Sequence, residues 1–314
     1  MNTRDRSTLF GDLDVDIEFD APIGAMTWFG VGGRADALIR PRSEDALAAL
    51  FARCAGEGVP IRTLGKGANL LVADEGVDGI VVRLDHDEFT RLRFNAQGQV
   101  DRVLAMAGAD LFASVQEFTR QGLAGFTQMA GIPGTIGGAV RMNAGGMHGC
   151  IGDCIESVTC LDDRGERLVY DRSQLVFAYR HCNLPDQLVL SAVLSLEPED
   201  PVQLRARVKD IFAAKKASQP MADQSAGCVF RNPLVDGSLV SAGRLIDEAG
   251  CKGDRIGGAE VSRSHANFIT TDPDATAAHV QSLMEQVRQR VLQHHGVALE
   301  PEVVIWSRNG AAPS

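Results

Sequence analysis

Apolar residues recur along this chain in short strand-length runs and at helical spacing, and the changes between them mark its elements. Residues 36–40, 59–64, 70–72 and 79–84 predict strands of a first α/β unit. Ser43 predicts a helix cap, with Glu44 and Asp45 in the first turn, a helix through about Arg53 and Gly56 beyond its end. A second unit begins near Arg91. Residues 100–108 predict a strand, Asp110 caps a helix through Gln121, and Gly122 stops it. Residues 157–170 predict a hairpin turning at Asp163-Arg164-Gly165, and residues 188–196 alternate as a long strand. Asp200-Pro201 opens a helix with Leu204, Val208 and Phe212 on a core-facing stripe. The basic exit from it, Lys215 to Pro220, predicts a domain boundary. Beyond lie a capped helix at 241–249, a strand across 259–270 and the longest helix, from Asp272-Pro273 to His295. A last strand, 297–306, carries Glu302 in an otherwise apolar run. The polar ends, 1–16 and 308–314, predict fraying.

Residues 131–146 fit neither spacing. Six of them are glycine, a composition poor for a helix and for a central strand. The run is too long for a simple turn, and glycines let the backbone present its N–H groups to a pyrophosphate. Gly131, Ile132, Pro133, Gly134, Thr135, Gly137, Gly138, Asn143, Ala144 and Gly145 are therefore candidates for cradling a cofactor. A second glycine loop, Gly65, Lys66, Gly67, Ala68 and Asn69 before Leu70, reads equally as a plain connection or as another phosphate-facing loop, with Lys66 adding charge. Gly30, Gly32 and Ala35 spell a weak G-x-G-x-x-A dinucleotide motif. A strand at 36–40 and Pro41 stand where the phosphate-binding helix belongs, so that reading is rejected.

Composition narrows the class. The 314 residues, 45% hydrophobic and 23% charged, describe an ordinary globular protein of roughly two domains. A formal charge of −10 argues against a nucleic-acid partner, while local cations still allow anionic small ligands. Seven scattered cysteines without a signal-peptide pattern point to a reducing cytoplasm, and Cys150 and Cys154 lack partners for a zinc site, so no metal is expected. No apolar run approaches the ~20 residues of a membrane span.

An ordered series of motifs resembles the UDP-N-acetylenolpyruvoylglucosamine reductase (MurB) family over about residues 20–306. It comprises Thr27-Trp-Phe-Gly-Val-Gly-Gly-Arg, the two glycine loops with Met142-Asn-Ala-Gly, Tyr179-Arg180, Ser225-Ala-Gly-Cys-Val-Phe-Arg-Asn-Pro, Ser264-His-Ala-Asn-Phe-Ile and Leu299-Glu-Pro-Glu-Val. The resemblance implies an α+β fold: a two-part FAD-binding unit of the vanillyl-alcohol-oxidase (PCMH) type plus a separate α+β substrate-binding domain. The implied divisions are 1–88, 89–214 and 215–297, with 298–314 returning to the first part. It implies a monomeric oxidoreductase of peptidoglycan precursor synthesis, hence of cell-wall biogenesis, cell shape and division. NADPH would reduce a non-covalent FAD, which would reduce UDP-N-acetylglucosamine enolpyruvate to UDP-N-acetylmuramate. The chain has no room after Arg180 for the family's extra tyrosine loop, which suggests the short form.

The match assigns Arg180 and Glu302 to polarising the substrate carboxylate. Cys228 stands where the family usually has a proton-donating serine. A thiol is a competent donor, with an unperturbed pKa of roughly 8.5, and a packed thiol beside Val229 is the alternative. A reactive Cys228 would also make the enzyme sensitive to alkylation and oxidation. Lys216, Asn232 and His265 match substrate contacts, Arg231 and Lys252 add nearby cations, and Arg141 and Asn143 are read as shaping the flavin site. Another flavoprotein of the same fold, oxidising an alcohol or a hydroxy acid, and a non-catalytic nucleotide-binding protein are the alternatives. His148 is not placed to tether a flavin.

Overall fold

A computed structural model of the chain describes residues 9–185 and 187–308; the fraying expected of residues 1–8 and 309–314 lies outside them. Part of the expected N-terminal tail is ordered as strand β1 (Val15–Ala21). Its alternation of Val15, Ile17 and Phe19 with Asp16, Glu18 and Asp20 suits an edge strand, and it pairs antiparallel with β2 (Ala35–Pro41). Helix α1 (Glu44–Glu57) starts at Ser43, whose hydroxyl accepts from the Ala46 amide at 3.1 Å. It runs through Gly56 and stops at Gly58, the residue that takes the left-handed capping conformation. Strands β3 (Ile61–Thr63), β4 (Leu70–Val72) and β5 (Val77–Val82) follow, with β5 parallel to both β2 and β3.

The second unit is an antiparallel five-stranded sheet. It takes β6 (Leu92–Phe94), β7 (Arg102–Met106), and the predicted hairpin of β8 (Ile155–Leu161) and β9 (Arg167–Asp171). After a small hairpin of β10 (Phe177–Ala178) and β11 (His181–Cys182), strand β12 (Leu188–Ser195) completes the order β9-β8-β12-β7-β6. Both neighbours of β12 are strands and both of its faces are covered, so residues 188–192 are all buried instead of alternating. Helix α2 (Leu111–Gln121) has the predicted Asp110 cap and Gly122 stop. One core joins the two units, running from Leu47 and Leu50 through Val82 to Val103, Phe118 and Val158.

Residues 131–146 are not irregular throughout. Ile136–Arg141 forms a short helix, α3, capped by Thr135. Burial of Ile136, Ala139 and Val140 offsets Gly137 and Gly138, each of which costs a helix roughly 1 kcal/mol. Helix α4 (Pro201–Ser218) begins at its predicted Asp200 cap. Leu204 and Ile211 are its buried residues, Val208 packs beside them, and Phe212 lies at the margin.

The last part packs around a second core, from Val229 and Phe230 through Ile246 to Leu283 and Val287, which also takes in Phe29, Val31 and Leu71 of the first unit. It holds β13 (Leu234–Val235), β14 (Ser238–Leu239) and α5 (Ala242–Glu248). The strand predicted over 259–270 is broken. A three-stranded sheet of β15 (Arg255–Ile256), β16 (Ala259–Val261) and β17 (Ile269–Thr271) leaves residues 262–268 as a turn. Helix α6 (Ala277–His295) is capped by Thr276, four residues after the predicted start, because Asp272 closes a separate turn, its carboxylate accepting from the Asp274 amide and its carbonyl from the Ala275 amide. Only β18 (Val304–Trp306) of the final predicted strand forms, and it returns to pair parallel with β4. The segment before it is held irregular by contacts with residues 229–231.

Candidate active site

The two glycine loops meet. A Cβ on Gly65 would lie 2.9 Å from Thr135 Oγ1, and one on Gly67, at φ +64°, would fall 2.7 Å from Thr27 Cα. Only glycine lets the first loop sit here. The amides of Gly65, Lys66, Gly67 and Ala68 make no backbone hydrogen bond among the described residues, nor do those of Gly134 and Thr135. Unpaired N–H groups on two adjoining glycine loops suit phosphate oxygens, so these residues fit the diphosphate of FAD. Lys66 does not bring a spare charge, because its ammonium pairs with Asp110. Gly32, in the rejected dinucleotide motif, is glycine for packing: its φ is +108° and a Cβ would strike the Val72 carbonyl.

The end of the long glycine run also makes structural contacts. The buried Asn143 donates from Nδ2 to the Ala178 carbonyl at 2.8 Å and accepts from the Gly152 amide at 3.1 Å. Arg141 donates to the carbonyls of Leu184, Pro185 and Gln187. Ala144 and Gly145 lead into a tight turn whose tip exposes Met147 and His148. Asn143 thus braces the small β10–β11 hairpin, and Arg141 the segment that follows it.

That hairpin carries Tyr179 and Arg180 as its two turn residues. Arg180 sits at φ +53°, a left-handed conformation that costs a non-glycine residue about 1 kcal/mol or more. Its Nε donates to Glu302 Oε1, and the two side chains are 20% and 10% exposed. Glu302 is fixed through its backbone: its amide donates to Val229 O at 2.7 Å, and its carbonyl accepts from Asn69 Nδ2 at 3.1 Å. The first glycine loop therefore holds the catalytic candidate's main chain.

Cys228 completes the group. Burial pushes its thiol up to about 12, the Glu302 carboxylate adds to this, and Arg180 and the Asn267 side chain oppose it. The thiol is protonated at neutral pH. Burial likewise raises the Glu302 carboxyl, against the attraction of Arg180 and Arg231. Arg180 remains a firm cation, since Glu302 outweighs the burial that would lower it. Three residues far apart in sequence form one electrostatic unit.

Sequence reasoning missed Asn267, Lys215 and Tyr179. Asn267, 3% exposed, acts as a strand substitute, accepting from the Phe230 amide at 2.9 Å and donating to the Phe230 carbonyl at 2.8 Å. Lys215, not the exposed Lys216, turns inward and donates from Nζ to Ala130 O at 2.6 Å, just before Gly131. The signal was in the spacing, since 204, 208, 211 and 215 lie on one helical face.

Burial, with the nearby Arg180 cation, lowers the Lys215 ammonium from 10.5 to about 8. Between those values an unfolded lysine keeps a proton that the folded one has shed. The parent protein should therefore gain stability relative to a Lys215→Met variant as pH rises from 8 to 10.5. Denaturant melts across that window test this, and a flat or falling difference would contradict it.

Among the other predicted contacts, Arg231 Nε is buried without a hydrogen-bond partner among the described residues. Asn232 supports the start of α5, its Oδ1 accepting from the Ala242 amide at 2.9 Å. His265 packs edge-on against Phe268 at 4.8 Å, and burial, aided by the Lys252 charge, lowers its pKa. Lys252 itself pairs with Asp247 at 2.7 Å. Among the described residues no cluster could hold a metal ion, and no helix is long and apolar enough to cross a membrane.

Comparison with known proteins agrees with this layout. An FAD binding domain family matches residues 35–170, and the C-terminal domain of UDP-N-acetylenolpyruvoylglucosamine reductase matches residues 219–306. The UDP-N-acetylenolpyruvoylglucosamine reductase of Desulfosudis oleivorans is 39% identical over 95% of this chain and 96% of its own. That of Paramagnetospirillum magneticum is 40% identical, covering 91% of each chain. The crystal structure of the reductase from Thermus caldophilus superposes with a TM-score of 0.78 at 36% identity, covering 93% of this chain and 98% of its own.

Proposed function

The chain belongs to the UDP-N-acetylenolpyruvoylglucosamine reductase family, and on that footing we propose that it reduces UDP-N-acetylglucosamine enolpyruvate to UDP-N-acetylmuramate with electrons from NADPH. It is an FAD-dependent oxidoreductase of peptidoglycan precursor synthesis. The observation that carries the residue assignment is the convergence of Arg180, Glu302 and Cys228 from three separate segments. The two glycine loops would hold FAD non-covalently, and the group would supply the hydride chemistry between NADPH and the substrate's enol ether.

This chain's residues make that electron-rich double bond an acceptor. Arg180 binds the substrate carboxylate and stabilises the negative charge that develops on it as hydride adds to the methylene carbon. Glu302 holds the guanidinium in place. Cys228 gives its proton to the carbon bearing the carboxylate, so hydride plus proton complete a two-electron reduction. Arg231, whose Nε is unpartnered among the described residues, and Lys216, Asn232, Lys252 and His265 bind the sugar-nucleotide end.

The same reading divides the chain at 88/89 and 214/215, with β18 returning to the first part. It places the protein in the cytoplasm as a monomer without nucleic-acid or membrane partners; the seven unpaired cysteines suit a reducing compartment. The test is anaerobic. NADPH should bleach the bound flavin, and UDP-N-acetylglucosamine enolpyruvate should restore its colour with formation of the lactyl ether. Bleaching without recovery would refute the substrate assignment.

A further inference from the structure

Arg180 is held from three sides. Asn143 fixes the carbonyl of Ala178 below it, and Glu302 receives the guanidinium. The third hold is Tyr179. Its phenol oxygen accepts from the Asn232 amide at 3.1 Å, and its ring lies under the Arg180 guanidinium at 5.0 Å. Asn232 in turn receives the first amide of α5. One side chain therefore ties the β10–β11 hairpin to the C-terminal domain and supplies the face on which Arg180 rests.

Accordingly, we propose that Tyr179 is the positioning residue for Arg180, holding the guanidinium against Glu302 only while the C-terminal domain is docked on the hairpin. The inference rests on the role of Arg180 given above. Its physical basis is that a long arginine side chain on a two-residue turn has many rotamers to lose. The aromatic face, fixed at its far end by a backbone N–H, removes most of them before substrate arrives. Tyr179 is 40% exposed, so burial alone does not explain its place in the fold.

The test uses FAD-loaded protein in rapid anaerobic mixing. Tyr179→Phe keeps the ring and removes the phenol oxygen, leaving the Asn232 amide without its acceptor. The variant should reoxidise with UDP-N-acetylglucosamine enolpyruvate about tenfold more slowly. Tyr179→Leu, which also removes the face, should lose more. Flavin reduction by NADPH, FAD content and melting temperature should stay near the parent values. In an Arg180→Lys background, Tyr179→Phe should cost little further, because the residue acts through the guanidinium.

A purely structural Tyr179 would instead lower both half-reactions together, or multiply its loss on top of Arg180→Lys. Either result, or an unimpaired Tyr179→Phe, overturns the proposal. Should Tyr179→Leu fail to fold, the Tyr179→Phe comparison still decides. Failure of the parent protein to reoxidise with this substrate would refute the functional reading itself, a different outcome from a parent that turns over and a variant that matches it.

Discussion

Cys228→Ala should bleach with NADPH at nearly the parent rate and recover its flavin colour with substrate about 10²–10⁴ times more slowly, the usual contribution of a positioned acid. The geometry isolates the effect to one half-reaction. Cys228 faces Arg180 and Glu302, the pair assigned to the substrate carboxylate and not to the NADPH half-reaction. Cys228→Ser, which restores an O–H donor of similar size, should recover most of the rate. Normal reoxidation by the alanine variant would leave Cys228 as a packed thiol and move the donor elsewhere.

The thiol's chemistry bears on one expectation from sequence. A cysteine at the catalytic centre suggested easy alkylation. Raising its pKa from 9.0 to about 12 lowers the thiolate fraction at neutral pH about a thousandfold, and the thiolate is the reacting form. Iodoacetamide should therefore label Cys228 far more slowly than free glutathione. Glu302→Gln should speed the labelling, because the carboxylate holds the pKa up while Arg180 pulls it down. Slower labelling in Glu302→Gln would contradict this electrostatic account.

Much of this was legible because the signals were local. Asp110, Asp200 and Ser241 cap their predicted helices, since a side-chain oxygen three residues or fewer from an unpaired amide needs no tertiary help. What was not legible depended on distant partners. The turn at 262–268 exists because Asn267 spends its side chain on Phe230, and no spacing rule announces that exchange. Helix α3 forms among glycines because its apolar positions are buried against the second sheet, which overrides their poor propensity. Lys66 is a phosphate candidate by motif and an ion-pair partner of Asp110 by geometry. The site residues were found by resemblance; their mutual support, through Asn69, Asn143 and Tyr179, needed coordinates.

Arg180→Met should separate what the ion pair does for folding from what it does for chemistry. Removing the cation that meets the developing charge should slow substrate-dependent reoxidation by about 10²–10³, while NADPH still bleaches the flavin. It also strands Glu302, whose carboxyl burial already raises. Breaking a buried pair in this way costs about 3–5 kcal/mol, and the 20% and 10% exposure of the two side chains favours the lower end. Adding Glu302→Gln to Arg180→Met removes the stranded charge, so the double variant should regain much of the lost stability. It should regain none of the lost rate, because no cation meets the substrate carboxylate. If stability and reoxidation instead return together, the slow chemistry of Arg180→Met reflected a damaged fold, and Arg180 would lose its place in the mechanism.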